Sequence, residues 1–103
     1  MQMVGDWEDV GPAALVAASQ CEMAIVRWPE TVPGSVREME LVTTGDEPAE
    51  LRFEAASSTD PRPMEVLCKV GTYGDVARER DLLDRVSHRL EQLKGKDWAP
   101  VEP

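Results

Sequence analysis

The fold is decided by ten residues, Val66-Leu67-Cys68-Lys69-Val70-Gly71-Thr72-Tyr73-Gly74-Asp75. The first five alternate with the period of two that is typical of a strand, and the last five combine two glycines with residue types that cap helices. Glycine opens backbone conformations that other residues rarely adopt. We therefore expect a strand that enters a helix through a structural turn at residues 71–75.

The start of that helix can be interpreted in two ways. Either Asp75 is the N-cap, or Thr72 is the N-cap and Asp75 is its capping-box partner three residues later. Tyr73 is expected to pack on the sheet edge or on Trp98. Backbone N–H groups of a glycine turn can hold an anion, but the Asp75 carboxylate would repel one, and no phosphate-loop pattern is present. The sequence therefore favours a structural role for the turn.

An apolar stripe with helical spacing follows the turn. It consists of Leu83, Val86, Leu90 and Leu93, widened by Leu82. Gly95 suits the position just past a helix, and residues 95–103 are expected to form an extended tail. The stripe predicts an amphipathic C-terminal helix packed on the sheet. The same residues, together with Trp98, are also candidates for an interface with another chain.

Three segments upstream, 36–44, 49–55 and 64–70, alternate with period two, which predicts a three-stranded antiparallel meander. Apolar residues share one face of each segment and charged residues share the other, so one face of the sheet should be wet. The expected inward residues are Met39, Leu41, Thr43, Ala49, Leu51, Phe53, Ala55, Met64, Val66, Cys68 and Val70.

An N-terminal helix is predicted from about Pro12, because proline is tolerated at the first helical position. A helical stripe then runs through Ala14, Ala18, Cys21, Ile25 and Trp28. Residues 23–28 also suit a short strand after a shorter helix, since Pro29 disfavours helical backbone before it. We favour the helix. Together these elements predict one α+β domain over residues 1–103, with its core at about 10–94.

The chain is acidic, with 20 Asp and Glu against 11 Lys and Arg and a net charge of -9. Such a surface repels phosphate, so nucleic acid is not an expected partner. No stretch approaches the roughly 18 apolar residues of a membrane span, and no signal-peptide pattern opens the chain. We expect a cytoplasmic protein whose partners are other proteins or a second copy of itself.

Residue types that carry chemistry are few. His88, Cys21 and Cys68 fall on three separate predicted elements without the spacing of zinc ligands. Both cysteines lie among apolar residues, which favours buried, reduced thiols over a disulfide. Carboxylates such as Glu38 and Glu40 repeat on the solvent face, where acid/base catalysis is not expected. The sequence predicts no catalytic residue, metal or cofactor.

The string from Val66 to Asp75 resembles the end of a family of small bacterial domains of unknown function. In that family a strand reading roughly V-x-V-G-x-F-G-D leads into the last helix, and Tyr73 stands here where the family tends to have phenylalanine. The resemblance implies an N-terminal helix, antiparallel strands and a terminal helix. Members are often secreted or lipid-anchored, whereas no lipid-attachment signal is seen here. The family supplies no catalytic residue.

These features favour a non-catalytic protein-binding or assembly module that forms a homodimer, because apolar helices are prominent and catalytic constellations are not. One alternative is an acidic chaperone or inhibitor that masks a basic partner. The other is an enzyme or small-ligand binder with a pocket between helix and sheet, near Cys68, Tyr73 and Asp75.

Overall fold

The computed structural model describes residues 1–27, 36–55 and 62–93. Within them, a five-stranded antiparallel sheet forms one layer and two helices form the other. The strands are β1 (Gln2–Gly5), β2 (Met23–Arg27), β3 (Val36–Thr43), β4 (Pro48–Ala55) and β5 (Arg62–Val70). The helices are α1 (Val10–Gln20), which follows a 3-10 turn at Trp7–Asp9, and α2 (Val76–Leu93). The class is α+β, as predicted. Trp28, Gly95 and the tail with Trp98 lie outside the described residues.

The strands are ordered β1-β5-β4-β3-β2. β3, β4 and β5 form the predicted meander, in which Met39 lies opposite Leu51 and Leu51 lies opposite Cys68. β1 and β2 extend this meander at its two edges. The chain passes from the β1 edge to the β2 edge through α1, which therefore crosses one face of the sheet.

The predicted continuation of the first helix through residues 23–27 is wrong, because these residues form an edge strand. α1 ends at Gln20, and Glu22 takes a left-handed φ of 59° that redirects the chain. Met23 then pairs with Thr43 of β3. Backbone pairing and the strand preference of β-branched residues outweigh the helical spacing here. The shorter helix followed by a strand is the correct alternative.

The sheet has five strands rather than the predicted three because both edges gain a strand. β1 was not predicted, since alternation over four residues is too short to recognise. Its partner is β5, with Met3 opposite Met64. Met3 points toward the helices and is buried, whereas Val4 is 49% exposed on the other face.

One core lies between the sheet and the helices. The predicted inward residues are buried, except for Ala55 and Cys68, which are half-buried. Leu82 is fully buried and Leu83 only half-buried, so the centre of the α2 stripe lies one residue earlier than expected. The helices contribute Ala13, Ala14, Ala17 and Ala18 from α1 and Leu82, Val86, Leu90 and Leu93 from α2.

A cation–π contact joins the N-terminal segment to β3. The Arg37 guanidinium lies 4.7 Å from the centre of the Trp7 ring, and its Nη1 donates to the Trp7 carbonyl at 2.8 Å. The Trp7 side chain is buried, with 7% of its surface exposed. Sequence patterns do not reveal this pair, because its members belong to different elements.

Substitution of Phe53 tests which face of the sheet is buried in the core. It lies on the central strand β4 and has no exposed surface. Phe53→Ala should lower the free energy of unfolding by about 3–5 kcal/mol, because the ring loses its contacts and leaves a cavity. Arg52→Ala, on the outer face of the same strand, should cost less than about 1 kcal/mol. Urea denaturation followed by circular dichroism measures both, and equal losses would contradict the assignment.

Candidate functional site

The turn between β5 and α2 is built on two left-handed glycines. Gly71 and Gly74 have φ angles of 77° and 83°. The Asp75 side chain accepts a hydrogen bond from the N–H of Arg78 at 3.2 Å, so Asp75 rather than Thr72 caps α2. The chain therefore changes direction at the glycines and enters the helix at the aspartate.

The Glu79 carboxylate holds this turn closed. Its Oε2 accepts hydrogen bonds from the N–H of Asp75 at 2.8 Å and of Val70 at 3.1 Å. The Val70 N–H lies beyond the end of β1, so the carboxylate replaces a strand partner there. On the other side of the turn, Arg78 Nη1 lies 3.1 Å from Glu47 Oε1. Two carboxylates thus fix the position of α2 on the sheet.

Tyr73 does not pack on the sheet edge, so that alternative is wrong, and the other alternative, packing on Trp98, involves a residue outside the described part of the chain. Its side chain is 99% exposed, and its neighbours Thr72 and Gly74 are exposed as well. The left-handed glycines turn these residues away from the core. Neither of the two clefts described below is lined by Tyr73, Asp75 or Cys68.

The left-handed backbone at Gly74 leads to a prediction. A side chain at this position is strained whatever space surrounds it, so Gly74→Ala should lower the free energy of unfolding by about 1–2 kcal/mol. Gly45 is the matched control, because an added Cβ there meets only ordinary contacts, the nearest at 3.7 Å. Thermal and urea denaturation of the two variants measures their loss of stability. Equal melts would show that the φ at Gly74 is not required.

The two cysteines are free thiols that pack against the core. Burial raises the pKa of Cys21 to about 11, aided by the Asp81 carboxylate, whose Oδ2 lies 3.5 Å from the thiol sulfur. Burial also raises the pKa of Cys68 to about 12, with the negative charge of Glu79 as a further cause. Thiols in this state are poor nucleophiles near neutral pH.

Slow thiol labelling is the expected consequence. At pH 8 the raised pKa values leave roughly 100-fold less thiolate at Cys21, and roughly 1,000-fold less at Cys68, than a free cysteine would have. Native protein should therefore react with Ellman's reagent far more slowly than protein unfolded in guanidinium chloride. The single variants Cys21→Ser and Cys68→Ser assign the remaining rate to one thiol. Native labelling as fast as that of the unfolded chain would contradict the burial of both groups.

His88 lies in a polar cleft of about 210 Å³ between α1 and α2. Its Nε2 is 3.3 Å from Gln92 Nε2, and Gln92 Oε1 accepts a hydrogen bond from Arg89 Nη1 at 3.1 Å. Nearby, Arg85 Nε lies 3.1 Å from Asp81 Oδ1. Among the described residues, no three histidines, cysteines or carboxylates are grouped to hold a metal ion. The cleft is lined by charges of both signs, of which Asp81 and Arg85 form an ion pair along the helix.

A second cleft, of about 510 Å³, runs along the edge strand β1. Met1 and Val66 exchange two backbone hydrogen bonds, of 2.8 and 2.9 Å. In an antiparallel ladder, alternate residues point their backbone groups in opposite directions. Gln2 and Val4 therefore direct their N–H and C=O groups away from β5. Among the strands that the structure describes, β5 is the only one that pairs with β1, so the cleft lies at an edge of that sheet.

The walls of this edge cleft come from α2 and β5. Ser87 and Glu91, one turn apart on α2, line it together with Glu65. Met3 and Met64 form its apolar base and are 4% and 1% exposed. Sequence patterns did not indicate this cleft, because its residues come from the two ends of the described chain. Val4 and Met3 are apolar residues that lie outside every predicted element.

The outer face of the sheet is not covered by any element among the described residues. Charged residues of both signs pair across its centre, with Arg27 to Glu40 at 3.6 Å and Arg52 to Glu38 at 3.5 Å. Exposed aliphatic side chains stand between and beside them. These are Val4, Val36 and Leu67, which are 43–49% exposed.

The residues predicted to form an interface do not lie on this outer face. Val86, Leu90 and Leu93 are buried in the core of the single chain, and Leu83 is half-buried against it. Trp98 lies outside the described residues. Burial within one chain accounts for the apolar stripe of α2, because the sheet and α1 already cover it.

Comparison with known proteins identifies no relative, since no protein-family model and no curated protein matches the chain. The resemblance to small bacterial domains of unknown function therefore stays a prediction. In the part of the chain that the structure describes, no helix has the length and apolar character needed to cross a membrane.

Proposed function

We propose that this cytoplasmic protein is a non-catalytic protein-binding or assembly module that forms a homodimer through the outer face of its sheet. The supporting observation is the composition of that face. Leu67, Val4 and Val36 remain about half exposed there, on a surface that the two helices leave open. Large aliphatic groups on an open sheet face are typical of surfaces that another protein covers.

The charges on this face suit a two-fold arrangement. In a two-fold dimer the same patch meets itself, so a patch that carries both signs can pair with its own rotated copy. Arg52 lies between Glu38 at 3.5 Å and Glu54 at 2.9 Å, and Arg27 is paired with Glu40. Rotation of one copy can bring such arginines over the carboxylates of the other. Two sheets packed face to face would lie about 10 Å apart.

A second candidate function is an acidic chaperone or inhibitor that masks a basic partner. It is favoured by the net charge of -9 and by the carboxylates of Glu65 and Glu91 at the edge cleft. Complementary charge chiefly accelerates association and weakens with salt. Binding of such a partner should therefore fall as the salt concentration rises.

Two leucines of equal exposure test the homodimer. Leu67 lies on the outer face and is 49% exposed, and Leu15 lies on α1 and is 50% exposed. Leu67→Gln should raise the dimer dissociation constant about tenfold, because an apolar side chain is lost from the interface. Leu15→Gln should leave it unchanged. Sedimentation equilibrium measures both constants.

Two results would refute the homodimer. The first is wild-type protein that stays monomeric at millimolar concentration. The second is an equal effect of both substitutions, which would show that the outer face has no special part. Circular dichroism confirms that each variant is folded before its association is compared.

A further inference from the structure

We infer that the β1 edge binds an extended, basic segment of a partner protein, which adds to the sheet as a further strand beside β1. This site is the edge of the sheet rather than its outer face, shares only Val4 with the surface of the proposed homodimer, and goes beyond that function. The edge cleft receives the side chains of the bound segment, and the charge of the cleft walls determines which side chains are accepted.

The backbone groups of β1 supply the first part of the binding site. Gln2 and Val4 direct two N–H donors and two C=O acceptors off the sheet edge, as the Met1–Val66 hydrogen bonds require. An incoming strand about 4.8 Å away would meet all four groups. Strand addition of this kind gains its affinity from main-chain hydrogen bonds and its specificity from alternate side chains.

The edge cleft supplies the second part. α2 packs directly over β1, since a Cβ on Gly5 would lie 3.1 Å from Leu90 Cδ2. Ser87 and Glu91, which lie on either side of Leu90 in the helix sequence, line the cleft of about 510 Å³. Alternate side chains of an added strand would enter this space. Their aliphatic parts would lie on Met3 and Met64, and their ends would reach the polar wall.

Charge selects a basic occupant. The lining includes two carboxylates, Glu91 on the helix wall and Glu65, which alternates with the buried Met64 and Val66 and so lies on the outer side of β5. Glu65 Oε1 lies 3.2 Å from the Met1 amino group, while Glu91 is exposed on the helix wall. Lysine and arginine suit such a site, because their long stems cover apolar surface while the charged end reaches a carboxylate. A second copy of this chain that paired through β1 would instead bring its own Glu65 and Glu91 to the same carboxylates.

The occupant is therefore predicted to be an extended segment in which lysine or arginine alternates with aliphatic residues. The basic residues face the helix wall at Glu91, and the aliphatic residues lie beside Val4 on the outer face. Folded partners with helical basic surfaces do not fit, since they cannot meet the backbone groups of Gln2 and Val4.

The test uses a capped nine-residue peptide of alternating lysine and valine, with a glutamate–valine peptide as its charge control. Titration into ¹⁵N-labelled protein, followed by NMR, should shift the amide signals of β1 and of α2 near Glu91. The glutamate peptide should cause no such shifts. Shifts spread over the whole surface, or none with the lysine peptide, would overturn the proposal.

Two pairs of variants separate the contribution of backbone hydrogen bonds to peptide binding from the contribution of charge. Val4→Pro removes an outward N–H without removing a β1–β5 hydrogen bond, and Val4→Ala keeps that N–H. Val4→Pro should weaken peptide binding about tenfold relative to Val4→Ala. Glu91→Gln should weaken it about two- to fivefold, and Glu22→Gln, in the exposed turn after α1, should leave it unchanged.

Three outcomes would overturn the proposal at this stage. Equal binding by Val4→Pro and Val4→Ala would exclude strand addition. Equal binding by Glu91→Gln and Glu22→Gln would exclude charge selection. Conversion of a dimer to a monomer by Val4→Pro but not by Val4→Ala would identify a second copy as the occupant, because both variants lose the valine side chain from the outer face. The Leu67 and Leu15 variants report separately on the outer face, so one proposal can fail while the other stands.

Discussion

Two helices share one face of the sheet, and they fit there because α1 is buried through alanines. Ala13, Ala14, Ala17 and Ala18 are at most 1% exposed. Small side chains let a helix approach its neighbours closely, and the large residues that fill the remaining space come from α2 and the strands. A bulkier residue at any of these positions would push α1 away from the sheet or from α2. The rest of the structure depends on this close contact.

The path of α1 also decides which surfaces are left for other molecules. Because α1 carries the chain from one edge of the sheet to the other, β1 and β2 both become edge strands. Since both helices lie on the same side, the opposite face is open in the described structure. An open edge and an open face are the two places where a sheet can extend or stack. Both functional proposals follow from this one-sided arrangement.

The central strands could be predicted because their alternation is long and regular. Residues 49–55 alternate without interruption, and every residue expected inward from Ala49 to Phe53 is buried. The end of α1 could not be predicted, because the turn residue is Glu22 at a φ of 59° and no glycine marks it. Such a conformation is uncommon outside glycine, so the helical spacing of Ile25 was misleading.

The candidate sites were harder to predict than the fold. The turn at Gly71 and Gly74 could be recognised because positive φ angles select glycine in the sequence itself. The edge cleft could not, because Val4 and Glu91 become neighbours only when β1 pairs with β5 and α2 folds back over them. Long-range pairing of this kind leaves no local pattern. The contact between Trp7 and Arg37 likewise joins distant parts of the sequence and leaves no local pattern.

The pairing of β1 with β5 also reverses the order of synthesis and assembly. Met1 and Val66 are hydrogen-bonded across a separation of 65 residues. A ribosome adding about 5–20 residues per second needs roughly 3–13 s to make that interval. The meander of β3, β4 and β5 joins neighbouring segments and can form without β1, whereas β1 must wait for β5. β1 thus leaves the ribosome before the meander but can dock only after β5 has been made, and until then its place on β5 is open to other strands.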